Sequence, residues 1–209
     1  VWTTTLGGVV YSGTVAGSTL SILKWELVEE TNLGITATFL KQRLSLDADY
    51  FIKNTKNAAL PVAIPGTRDF ILKNAGEIKN SGIEVVLNWK DKLSKDLDYV
   101  IGANITKQDN EVTNLYGQLY LDGGMAEFRQ RNMVGQPLNA FYGYEVEGVY
   151  QTQSEIDHDP VAVLNELEPG DFKYKDLNDD GKINDDDRTF IGSIFPTIIY
   201  GANLGLVYK

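Results

Sequence analysis

Between Asn32 and Phe39 the chain alternates strictly between polar and apolar residues. Leu33, Ile35, Ala37 and Phe39 fall on one side of an extended backbone, and Asn32, Gly34, Thr36 and Thr38 on the other. Successive side chains of a strand point to opposite faces, so this period of two predicts a sheet with one apolar and one polar face. The pattern returns with Leu44, Leu46, Ala48, Tyr50 and Ile52 against Ser45, Asp47, Asp49 and Lys53, Phe51 being the exception. It returns again with Ile83, Val85, Leu87 and Trp89, then with Leu97, Tyr99, Ile101, Ala103 and Ile105. The last run is Ile198, Tyr200, Ala202, Leu204, Leu206 and Tyr208. The reading is all-β, built from antiparallel strands.

The connections alternate in length. Lys41–Arg43 and the polar stretch 90–96 are short turns. Residues 54–80, with two prolines and the turn signal Ala63-Ile64-Pro65-Gly66-Thr67, read as a longer connection. Residues 108–197 form the longest, with one or two short helical turns expected between Ser154 and Leu167. Aromatic residues sit near strand ends at Phe39, Tyr50, Trp89, Tyr99 and Tyr208. Short turns at one end, long loops at the other and aromatic girdles suit a transmembrane β-barrel, in which Trp25 and Trp89 are interface anchors. A soluble sandwich with its apolar face buried carries the same alternation, and periodicity alone leaves both open.

Composition narrows the function classes. A net charge of −10 argues against nucleic acid as a partner. The absence of cysteine excludes disulfide scaffolds and thiolate metal sites. No run of about 18 apolar residues exists, which excludes a membrane helix but not barrel strands. The N-terminus does not read as a signal peptide, and a chain that starts and ends in mid-pattern is expected to be an excerpt.

The most specific motif is Asp176-Leu177-Asn178-Asp179-Asp180-Gly181-Lys182-Ile183-Asn184-Asp185-Asp186-Asp187. Its oxygen-bearing side chains, its glycine at the sixth position and its isoleucine at the eighth follow the spacing of a calcium loop. The expected ligands to Ca²⁺ are Asp176, Asn178 and Asp180 by side chain, Lys182 by backbone carbonyl, Asn184 directly or through water, and Asp187. Asp rather than Glu in the twelfth position shortens the reach, and no long helices flank the loop. Affinity is expected in the range of about 10⁻⁴–10⁻³ M, with a structural role. The competing reading is a solvated acidic turn whose Asp and Asn side chains cap local backbone groups.

Phe141, Tyr142 and Tyr144, with Tyr150, are a carbohydrate-stacking surface or, favoured by the sequence, packing that anchors a long loop. Arg129 and Arg131 are candidates to meet a carboxylate or a partner protein. His158 is the only histidine, and grouping it with Ser154 and Asp157 gives no catalytic triad, because nothing supplies an oxyanion hole. Asp47 and Asp49 share a strand face and suggest a hydrated lumen rather than a glycosidase pair. No enzyme is expected.

Several segments, taken in order, resemble the C-terminal part of the SusC/RagA-type TonB-dependent transporters of Bacteroidetes outer membranes. They include Leu23-Lys24-Trp25-Glu26, Asp49-Tyr50-Phe51, and Asn74-Ala75-Gly76-Glu77-Ile78-Lys79-Asn80-Ser81-Gly82-Ile83-Glu84. Val134-Gly135-Gln136-Pro137, Phe141-Tyr142-Gly143-Tyr144, Pro169-Gly170-Asp171 through Asp187-Arg188-Thr189, and Tyr200-Gly201-Ala202-Asn203-Leu204 continue the likeness. Ser193-Ile194-Phe195 departs from the family's usual Asn/Pro-rich turn. The resemblance implies a fragment of a large barrel of about 22 strands with long extracellular loops. The organisation it implies is one barrel domain over 1–209. Residues 1–23 are loop and short strand, 24–107 two hairpins, 108–197 a long extracellular loop region holding the calcium-type loop 176–187, and 198–209 a barrel strand. It further implies location in the Gram-negative outer membrane, import of oligosaccharides or oligopeptides, a SusD-like surface lipoprotein, and coupling to TonB through a plug that the chain lacks. A soluble calcium-stabilised β-rich extracellular glycan-binding module is the alternative.

Overall fold

The computed structural model describes residues 2–6, 9–13, 23–64, 70–124 and 128–209, the first two stretches as strand backbone. The strands are β1 (Trp2–Leu6), β2 (Val9–Gly13), β3 (Leu27–Phe39), β4 (Leu44–Ala63), β5 (Phe70–Lys92) and β6 (Leu97–Asn114). They continue with β7 (Leu121–Gly124), β8 (Arg129–Asn132), β9 (Ala140–Tyr144), β10 (Val146–Val149), β11 (Phe172–Tyr174), β12 (Arg188–Gly192) and β13 (Ile198–Tyr208). Two short helices, α1 (Gln153–Asp157) and α2 (Pro160–Leu164), lie where helical turns were expected. The chain divides into two compact units, one holding the long strands and one formed by residues 123–132 and 139–194.

In the first unit β3, β4, β5, β6 and β13 form one antiparallel sheet in the order β13–β6–β5–β4–β3. The register brings the apolar positions into rows: Ile35 faces Ala48, Ala48 faces Val85, Val85 faces Ile105 and Ile105 faces Tyr200. One face is therefore apolar across all five strands. It is also bare: Leu33 is 70% exposed, Leu204 70% and Tyr200 81%. A soluble sandwich would bury these side chains under a second sheet, at about 1.5–3 kcal/mol for each large one. This sheet instead presents them outward, as a wall facing lipid does. At one border of the apolar band Trp89 Nε1 donates to Tyr99 Oη at 3.1 Å, so both rings keep a polar contact near the turns.

The opposite face is polar and closely fitted. Asp49 folds over Gly34, and the amides of Asn88 and Asn203 close over Gly102 from both sides, leaving no room for a Cβ there. Thr36 Oγ1 donates to Asp47 at 2.8 Å, and Asp49 stands opposite Glu84 across β4 and β5.

The strands run further than the alternation announced. β4 has 20 residues and β5 has 23, whereas a tilted strand crosses the bilayer core in about 9–11. Most of the expected connection 54–80 is thus continuous hairpin, and the turn signal at 65–67 lies outside the described residues. The register shifts between Thr55 and Ala59, with Asn57 in the left-handed region at φ 56°. Past this irregularity Ala58, Leu60, Ala75, Ile78, Val112, Leu115 and Leu121 build a small buried core. Pro61 fits inside β4 because β3 has ended at Leu27, opposite Lys56, so no ladder bond is required of Pro61 on that side.

In the second unit β8, β9 and β12 lie side by side, and β10 pairs with β11. Its core is Tyr150, Ile156 and Ala162, with Leu167 against them. The Asp159 side chain accepts from Val161 N at 3.0 Å and so caps α2, whose first residue is Pro160. The buried Tyr150 hydroxyl donates to Asp159 Oδ2 at 2.6 Å, tying the helix pair to the strand ribbon.

Candidate functional site

The acidic loop is held together by side chains accepting backbone N–H groups. Asp176 Oδ2 accepts from Gly181 N at 2.7 Å, and Asp176 Oδ1 from Asp180 N at 3.2 Å. Asn178 Oδ1 also takes Asp180 N, at 3.0 Å, and Asp180 Oδ1 takes Lys182 N, at 2.9 Å. Asp179 and Gly181 are left-handed, at φ 57° and 77°, a conformation that Gly and Asp tolerate best. The loop closes on Asp187, which is fully buried and accepts from Leu177 N at 2.9 Å and Asn184 N at 2.8 Å. Asn184 returns the contact through Asp186 N, so the two ends of a 3₁₀ turn cap each other. The N–H of Asn184 and other backbone donors outweigh burial and hold the Asp187 carboxyl below the usual carboxylate range.

These contacts bear on calcium in two ways. The donor set is all hard oxygen, and a carboxylate oxygen that accepts one N–H keeps a second lone pair. The chemistry therefore fits the ion. Yet among the described residues no three Asp, Glu or His side chains converge as a metal-holding group. As it stands, the loop is centred on backbone N–H groups.

The aromatic candidates separate. Tyr142 and Tyr144 share one face of β9, and Phe141 takes the other. Arg131 stacks on Tyr142, its Cζ 3.9 Å from the ring centroid, and Tyr142 meets Phe190 edge-on at 5.2 Å. Arg188 lies 4.8 Å over Tyr144, and Tyr144 contacts Tyr174 at 5.4 Å. Arg129 is on the same side of β8 as Arg131 by alternation. Tyr142 and Tyr144 thus each lie under an arginine and against a second ring. Sequence reasoning missed Arg188, Phe190, Phe172 and Tyr174. The i, i+2 pairs Arg188/Phe190 and Phe172/Tyr174, flanking the acidic loop, carried the signal.

No catalytic triad forms around His158. Its Nδ1 lies 2.6 Å from the backbone oxygen of Ser154, not from the hydroxyl, and Asp157 accepts from Gln153 Nε2 at 3.0 Å.

A sequence model described as TonB dependent receptor-like, beta-barrel, matches residues 3–192. TonB-dependent receptor P3 of Formosa agariphila is 30% identical over 196 residues, covering 90% of this chain and 19% of the relative. TonB-dependent receptor SusC of Bacteroides thetaiotaomicron is 26% identical over 200 residues, covering 90% of the chain and 18% of the relative. Among solved structures, the RagAB peptide transporter superposes with a TM-score of 0.69 at 22% identity, over 96% of this chain and 21% of that one. The chain thus spans roughly a fifth of the length of the relatives it matches.

Proposed function

Because the chain belongs to the family of TonB-dependent receptor-like β-barrels, we propose that it supplies part of the wall and loops of an outer-membrane nutrient importer. The observation that carries this is the apolar face continuous over five strands, with Leu33, Ile35, Ile83, Ile105, Tyr200 and Leu204 exposed on it, on a chain whose relatives are receptors. The cargo is an oligosaccharide, with oligopeptides next. A SusD-like surface lipoprotein closes over the barrel, and TonB drives import through a plug encoded elsewhere in the protein. The short turns 41–43 and 91–96 face the periplasm, and residues 54–80 and 108–197 lie outside. No catalytic role is assigned to any side chain.

Loss and complementation of the whole protein test this. Cells lacking it should stop growing on one class of oligomer as sole carbon or nitrogen source and recover with the intact protein. Undiminished uptake of oligosaccharides and oligopeptides alike would refute it.

We propose further that Asp176, Asn178, Asp180, Lys182, Asn184 and Asp187 hold a structural Ca²⁺ that stiffens the loop. Calcium at millimolar concentration should raise the melting temperature of the whole protein, and Asp176→Ala should abolish that gain. Identical melting with calcium or chelator would remove the metal and leave the capped turn. Arg129, Arg131, Phe141, Tyr142 and Tyr144 are framework in this reading, with Arg129 the candidate for contact with cargo or partner.

A further inference from the structure

The end of the sheet that carries the short turns has a charge opposite to that of the whole. The chain has a net charge of −10. At this end, however, Lys41, Arg43, Lys90, Lys92, Lys95 and Lys209 meet only Asp91, Asp96 and Asp98, a local net charge of +3. Two of the cations are neutralised: Arg43 pairs with Asp91 at 3.0 Å and Lys209 with Asp98 at 2.8 Å. Lys41, Lys90, Lys92 and Lys95 have no salt bridge among the described residues. Lys41, Lys90 and Lys92 line an open depression of about 670 Å³ together with Arg43, Asp91, Asp98, Tyr99 and Val100.

Its position is as informative as its charge. Tyr99, one of its lining residues, is bonded to Trp89 on the apolar side of the sheet, and the exposed Phe39 and Leu40 directly precede Lys41 in the chain. Aromatic residues of this kind sit at the level of lipid headgroups. Lys90 and Lys92 stand on the polar side of β5 by alternation, but β5 ends at Lys92, and a lysine stem can bend round a rim to carry its ammonium to the interface.

We propose that this rim is a binding collar for anionic glycerophospholipid headgroups, with Lys41, Lys92 and Lys95 gripping phosphate while Trp89 and Tyr99 fix the depth of the sheet. Charge complementarity selects the occupant. The cations stand at headgroup level, where a neutral or zwitterionic lipid brings no net charge to match them, and anionic lipid does.

The test uses the whole protein that carries this chain, with bound lipids counted by native mass spectrometry after exposure to equimolar phosphatidylglycerol and phosphatidylcholine. The unaltered protein should retain phosphatidylglycerol in preference by on the order of tenfold, and lose that preference at about 1 M salt. A Lys41→Gln/Lys92→Gln/Lys95→Gln variant should lose it at low salt, and a Lys53→Gln/Lys56→Gln/Lys79→Gln control should keep it. Equal retention of both lipids by the unaltered protein overturns the collar, as does full preference in the first variant or equal loss in the control. If the first variant fails to assemble, the two arms on the unaltered protein decide.

Discussion

The two units are stabilised by opposite means. In the five-stranded sheet, long backbone ladders, shifted in register only near Thr55–Ala59 and Glu77–Ile78, carry the order, and among the described residues the side chains of one face touch no second layer. In the unit built from residues 123–132 and 139–194 the strands are three to five residues long and cannot hold themselves. Order there comes from side chains that cap backbone groups, from cation–ring stacking and from one buried tyrosine–aspartate bond. The difference teaches what each unit tolerates. The sheet should be indifferent to single polar contacts and sensitive to charge on its bare face. The other unit should show the reverse.

The largest effect should come from a charge on that bare face. Leu204→Arg sits midway along β13, flanked by Tyr200 and Tyr208, and should cost about 2–4 kcal/mol of folding in the membrane. Heat-modifiable gel migration of the whole protein after refolding into liposomes measures it. The same charge at Leu164, exposed on α2, should leave migration unchanged, and equal damage at both sites would break the contrast.

Next comes the Tyr150–Asp159 bond. Tyr150→Phe should cost about 1.5–3 kcal/mol of docking of the helix pair, seen as lost protection from hydrogen exchange over 150–167 and not over the sheet. The pair also predicts a pH window. Burial pushes the Asp159 carboxyl up, but the Tyr150 hydroxyl and the backbone donors of Val161 and Ala162 outweigh it and hold the carboxyl below its ordinary value. A depressed carboxylate stabilises fully above its unfolded pKa of about 3.9, and that contribution is lost as pH falls through the folded value. Burial, with Asp159 next, raises the Tyr150 hydroxyl. Its contribution is complete below about pH 10 and is lost as pH rises through the folded value. Protection over 150–167 should therefore stay level between about pH 4 and 10 and fall outside these limits, and Tyr150→Phe should remove the alkaline limb.

The smallest and most local effect is expected from Asp187→Asn. It keeps the shape but removes the charge that draws in the N–H groups of Leu177 and Asn184. Exchange at those two amides should quicken by on the order of tenfold, with Tyr142 and Phe190 unaffected. Spread of the effect through β9 and β12 would mean that the loop organises that sheet rather than standing beside it.

The faces of β3, β5, β6 and β13 could be read directly, because a period of two leaves no freedom once one side must be apolar. Strand length could not. Asn54-Thr55-Lys56-Asn57 breaks the alternation, and polarity there reads as the end of a strand. Beyond the bilayer, however, a ladder needs only backbone partners, so β4 and β5 continue through it. The acidic loop was legible as a tight turn rich in Asp and Asn. Whether its side chains face an ion or cap backbone groups was left open, since spacing says which groups can meet and not which do; in the structure Asp187 accepts from two backbone donors.

By itself, then, the sequence determined which residues share a face and which segment curls into an oxygen-lined turn. Both follow from local backbone geometry and the nearest neighbours along the chain. Only the tertiary structure decided that Arg131 and Arg188 lie over the rings of Tyr142 and Tyr144, and that four lysines without salt bridges gather at one end of an acidic chain. Those arrangements join residues from separate strands, and the register that joins them is set by pairing across the whole sheet.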